Sequence, residues 1–165
     1  MSAQGGGEIA EARPASAPGP PPAPPPRRRA RAGWRRALEG LAAWFLPISI
    51  GGILGANLRF LVTNLGTSLW GSSFPFATLL INVTGSFIIG LYLALVTERF
   101  SGRVFTRLLV TTGFCGAYTT LSTFSVEVVQ LVQRGAIESA LIYVVASVVL
   151  SVLAAGLGIA AAHSL

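Results

Sequence analysis

Four apolar stretches, parted by short polar connectors, set the pattern of this chain. They run from about Ala42 to Thr63, Phe76 to Thr97, Leu108 to Val126 and Ser139 to Ala162. As a helix, each is long enough to enter or cross a hydrocarbon layer of about 30 Å. The first carries a single charge, Arg59, near its far end; the other three carry none. The pattern therefore predicts an all-α membrane protein with four transmembrane helices. The third stretch departs from a plain apolar run. It places Gly113 and Gly116 three apart, then Thr119-Thr120, then Ser122-Thr123-Phe124-Ser125. Glycine and clustered β-branched residues weaken a helix at that point. A break at bilayer depth frees backbone groups that lipid cannot satisfy, so it is tolerated only inside protein or along a wet path. The third helix is predicted to be broken.

Polar positions inside the spans recur in lines. Thr78, Asn82 and Ser86 fall at i, i+4 and i+8, and so do Tyr143, Ser147 and Ser151, each line covering ~12 Å of helix rise. With the cluster Thr119 to Thr123, the chain offers three lines of neutral hydrogen-bonding groups. Two readings stand side by side. The groups are either glue between packed helices, like the small residues Gly51, Gly52 and Gly55, or the lining of a path. A primary amide at bilayer depth, as in Asn82, needs a partner either way. Arg59 either snorkels to the interface or faces inward.

Composition narrows the classes. At 52% hydrophobic and 11% charged, the chain is too apolar for an ordinary soluble domain. One cysteine, Cys115, allows no internal disulfide, and His163 is the only histidine. No nucleophile-base pair, metal cluster or phosphate loop is apparent, so catalysis is not expected. Residues 1–40 read as a disordered Pro/Arg-rich tail ahead of a membrane domain over 41–165. All twelve cations are arginine, and seven precede residue 37. Beside a membrane span, such a tail suits anionic lipid headgroups better than nucleic acid. Neutral donors suit a small, strongly hydrated anion, because each lost water must be replaced by an O–H or N–H. Phe124 adds a second device, since the edge of its ring carries the positive end of the quadrupole.

Three strings together resemble one family. Gly113-Phe114-Cys115-Gly116-Ala117-Tyr118-Thr119-Thr120-Leu121-Ser122-Thr123-Phe124 is similar to the third-helix signature of the fluoride channels called Fluc or CrcB. Gly51-Gly52-Ile53-Leu54-Gly55-Ala56-Asn57-Leu58-Arg59-Phe60 and Asn82-Val83-Thr84-Gly85-Ser86-Phe87 fit the same family in the same order. The resemblance covers roughly residues 46 to 162. It implies a dimer of two such bundles in opposite orientation, passing fluoride out of the cell passively. It places Asn82, Phe124, Ser122, Thr123, Thr78, Tyr143, Ser147 and Ser151 along the pore. Leu121 stands where the family has a second pore phenylalanine, and Ala117 where it has a glycine. A structural sodium ion at the dimer centre is implied on the carbonyls of Gly116 and Thr119. Arg59 and Glu127 take structural or vestibule positions. The rival readings are a small four-helix drug or metabolite exporter and a non-transporting membrane anchor. The first wants an ionisable residue at mid-membrane, and the second leaves three polar lines without a purpose.

The arginines also bear on orientation. With four spans, the tail, the 98–107 loop and the C-terminus share one side. That side holds seven tail arginines plus Arg99, Arg103 and Arg107, ten in all, against Arg134 opposite with Arg59 near its edge. The positive-inside rule then expects both termini in the cytoplasm, with the chain in the plasma membrane. A chain fixed one way needs an inverted partner, so a second, related subunit is expected, with the homodimer as the alternative.

Overall fold

The computed structural model describes residues 27–99 and 104–165, with side chains from 40 to 96 and from 104 onward. Every element among them is helical. Helix α1 spans Arg27–Trp70. The helix thus takes in residues 27–40 ahead of the apolar span, a stretch rich in arginine and alanine, which are good helix formers. Residues 1–26 of the expected tail lie outside the described residues. At its other end α1 also runs past its expected limit. Leu65 to Trp70 continue the helix, and Gly66 packs on Ala77, where an added Cβ would lie 2.7 Å from that of Ala77. Gly71, with φ 72°, then closes the helix by donating its N–H to Thr67 O at 3.0 Å. A left-handed residue at this position is glycine's natural place. The connector is therefore 71–75 rather than 65–75.

Helix α2, Phe76–Arg99, returns through the bundle. The next segment is built in pieces: α3 (Val104–Arg107), a π-helical run (Leu108–Cys115), one short turn α4 (Gly116–Tyr118), then α5 (Leu121–Gln133). Thr119 and Thr120 between α4 and α5 are extended, at φ −77°, ψ 159° and φ −153°, ψ 117°. The expected break is thus two residues long. The π-run was not expected. It lies where α1 comes closest: a Cβ on Gly51 would strike Leu109 O, and one on Gly113 would sit 2.8 Å from Ile48 O. Here backbone meets backbone, and π turns, rare in general, are frequent at functional sites. Gly52, by contrast, has nothing within 4 Å, so Gly51 and Gly55 carry the packing on this face.

A tight turn follows, with Gly135 at φ 77° and Ala136 N–H donating to Leu131 O at 2.9 Å. Helix α6 spans Ile137–His163 and packs along α2. Gly90 and Gly158 let those two backbones touch: a Cβ on Gly158 would lie 2.7 Å from Leu91 N. A cluster of Leu131, Ala140 and Tyr143, backed by Phe74, Leu79, Phe124 and Val128, fills the end beside the two turns. Among the described residues, three helices are long and apolar enough to cross a membrane: Gly40–Trp70, Phe76–Val96 and Ile137–His163. Along α6, large apolar side chains such as Leu141, Val145 and Val152 remain exposed, as helices facing acyl chains do.

Candidate functional site: an uncharged groove at the helix break

The break is held by one side chain. Asn82 on α2 donates from Nδ2 to Thr120 O at 3.2 Å and accepts the Thr120 N–H on Oδ1 at 2.9 Å. The amide thereby satisfies both backbone groups of an extended residue at bilayer depth. Thr120 also caps α5: its Oγ1 accepts the Thr123 N–H at 3.2 Å, donates to Thr123 Oγ1 at 3.0 Å and lies 3.2 Å from Ser122 Oγ. These two arrangements redirect two donors. In an unbroken helix the Thr120 N–H would serve Gly116 C=O and the Thr123 N–H would serve Thr119 C=O. Both go to side-chain oxygens instead. The carbonyls of Gly116 and Thr119 are left without their helical donors.

Beside the break lies an open groove of about 450 Å³. Asn82 and Ser86 line it from α2, Gly116, Thr119, Leu121 and Phe124 from the broken segment, and Ser147 and Ser151 from α6. None of the residues lining it is charged. Leu121 is 76% exposed, so the groove is open on this side. Ser147 is buried, and its Oγ has no hydrogen-bond partner. A buried orphan hydroxyl is uncommon and calls for a ligand, an ion or water.

Not every expected lining residue reaches the groove. Thr78 and Tyr143 instead converge on Glu127. Thr78 Oγ1 donates to Oε1 at 2.8 Å, and the Tyr143 hydroxyl donates to Oε2 at 2.7 Å. The Tyr143 ring is fully buried between Phe74, at 5.5 Å, and Phe124, at 5.0 Å. The reason is geometric. Positions four apart on an α-helix drift by about 40°, so the first and last members of an i, i+4, i+8 line differ by about 80°. The heads of both lines turn to the carboxylate; the remaining members face the groove. Thr123 lines a separate cavity of about 380 Å³ with Arg59, Thr78 and Thr120. Ser122 is exposed, and Arg59 is half-buried. Glu127 is accordingly a hub joining α2, α5 and α6.

Thr120 was not singled out as a cap by the sequence reading, although a Thr directly before an apolar helical run is a helix-start signal. Phe74 gave no signal at all, since a lone aromatic in a connector reads as interfacial.

A chain of apolar helices arranged around a broken one, with the break opening on an uncharged groove of apolar side chains interspersed with hydroxyls and one amide, defines a helical membrane protein. Comparison with known proteins makes the assignment specific: residues 46–159 match the model of the CrcB-like protein, Camphor Resistance (CrcB) family, and the chain belongs to that family. It is similar to proteins named fluoride-specific ion channel FluC. That of Rhizobium etli is 42% identical over 120 residues, covering 73% of this chain and 96% of the relative. That of Methylobacterium radiotolerans is 47% identical over 119 residues, covering 70% and 82%. That of Koribacter versatilis is 46% identical over 91 residues, covering 55% and 72%. The protein is an integral membrane protein.

Proposed function

We propose that this protein is a fluoride-selective channel that lowers cytoplasmic fluoride by passive efflux across the plasma membrane. The observation that carries the reading is the groove: neutral hydroxyl and amide groups, one of them the unpartnered Ser147 Oγ, with no fixed charge to trap an anion. Fluoride holds its hydration tightly, so only a path that replaces water by O–H and N–H donors lets it enter. Asn82 has a second N–H beyond the one given to Thr120, and Phe124 presents a ring. Fluoride efflux from liposomes holding the purified channel, this chain together with its partner subunit, with chloride as control, tests this. Absence of fluoride efflux overturns it, as does equal chloride efflux.

The broken segment makes the fourth crossing. Two chains in opposite orientation then close the groove that one chain leaves open at Leu121. The carbonyls of Gly116 and Thr119 fit a structural sodium ion at the dimer centre, because a hard cation takes neutral oxygen ligands and these two lack their helical donors. Sodium would supply positive charge between the two breaks and does not permeate. Both termini lie in the cytoplasm, where the Arg-rich tail meets anionic headgroups. A chain oriented in this one way pairs with a second, related subunit. Labelling an engineered Gly71→Cys in a Cys115→Ala background tests the orientation. Labelling from outside only is expected, and equal labelling from both sides returns the homodimer.

A further inference from the structure

Three successive contacts join α2 to the break. Asn82 takes both backbone groups of Thr120. Thr84 meets Tyr118, oxygen to oxygen at 3.1 Å. The Thr84 hydroxyl hydrogen already goes to Leu80 O at 2.7 Å, so the Tyr118 O–H is the donor in that pair. Between them sits Gly85. A Cβ there would strike Thr119 Cγ2 and lie 3.3 Å from Tyr118 Cδ1.

The neighbours cannot step aside freely. Thr119 is β-branched and stiff about χ1. Its Oγ1 donates to Cys115 O at 2.9 Å, and its N–H donates to the same oxygen at 3.0 Å. Tyr118 is 4% exposed and stacks on Phe114, with ring centroids 5.5 Å apart. A methyl group at position 85 therefore moves the Thr119 backbone or breaks a hydrogen bond at bilayer depth. Gly85 has a specific task beyond general close packing: it admits the residue whose carbonyl is freed.

We propose that Gly85 and Thr84 are positioning residues for the cation site at the break: they fix where the Gly116 and Thr119 carbonyls stand, and so set the affinity for sodium. The proposal rests on the sodium reading given above. Asn82 pins the second residue of the break, Gly85 meets the first, and Thr84 holds the residue before it.

The test measures thermal stability and dimer fraction of the purified channel in detergent, the full-length chain together with its partner subunit, with sodium titrated against N-methylglucamine at constant ionic strength. Wild type is expected to gain stability with sodium. Gly85→Ala should raise the sodium concentration at half-effect about tenfold, a coupling of ordinary size. Saturating sodium should restore most of its stability. A purely structural fault would instead lower stability equally at all sodium concentrations, and that result overturns the proposal. Gly52→Ala, where nothing lies within 4 Å, should titrate as wild type. Tyr118→Phe removes only the hydroxyl that Thr84 holds, and should shift the midpoint in the same direction by a smaller factor. It carries the test if Gly85→Ala does not fold, and an unshifted midpoint there overturns the proposal. A wild-type protein indifferent to sodium overturns the sodium reading, and this inference with it. A sodium-dependent wild type matched by both variants overturns this inference alone.

Discussion

Two polar regions lie about one helical turn apart along α2 and α6, and they use the same kinds of side chain to opposite ends. At Glu127 every polar atom has a partner: one carboxylate oxygen takes Thr78 and the other takes Tyr143. In the groove the buried Ser147 Oγ has none. The first region behaves as scaffold, because breaking any one contact leaves a half-buried charge short of a donor. The second keeps capacity in reserve for a guest. Polarity at bilayer depth does not by itself mark a pore. The distinguishing property is whether hydrogen-bonding capacity is already taken.

That contrast can be broken most severely at Asn82, which belongs to both regions in kind. It is engaged with Thr120, yet one of its N–H groups remains. Asn82→Asp should reduce fluoride efflux to the empty-liposome baseline. The carboxylate cannot donate to Thr120 O, and its charge repels the anion. Wild-type efflux in that variant would remove Asn82 from the path. Phe124→Ile comes next: it keeps most of the bulk and loses the ring edge, so efflux should fall heavily while the elution profile on size exclusion stays unchanged. Normal efflux would make Phe124 a packing residue for Tyr143.

The remaining two substitutions separate scaffold from groove directly. Tyr143→Phe leaves one oxygen of Glu127 without its donor and should cost about 1–3 kcal/mol of stability. A melting temperature equal to wild type would show that the Tyr143 hydroxyl is not structural. Ser147→Ala should leave stability within about 0.5 kcal/mol, since no bond is lost, while slowing efflux. Unchanged efflux alongside unchanged melting would make the groove-facing serines a packing seam.

Much of this was legible in the chain. The lengths of the apolar stretches and the Gly/Thr-rich third one led to the helices and to a break, and the motif strings led to the family. The position of the break within its stretch was not legible, because it depends on where Asn82 arrives from another helix. Nor was the division of the Thr78 and Tyr143 lines. Regular spacing in sequence tells which residues lie near one face, whereas Glu127 drew the heads of both lines away by offering two acceptors in a place with few donors. The close approach beside the π-run joins two glycines, Gly51 and Gly113, that are far apart in the chain and meet only after folding.

The two ends of the bundle are unequal. Among the described residues, one shows the tight turns at 71–75 and 134–136, while the start of α1, the end of α2, the start of α3 and the end of α6 lie at the other. A lone copy would offer ions different entrances from the two sides. Two identical copies inverted against each other cancel that difference, because a twofold axis in the membrane plane makes the faces interchangeable. Such a pair has no means of favouring one direction of current. Two unlike subunits keep a residue of asymmetry and are free to rectify. The symmetry of the current–voltage curve under equal fluoride is thus a report on who the partner is.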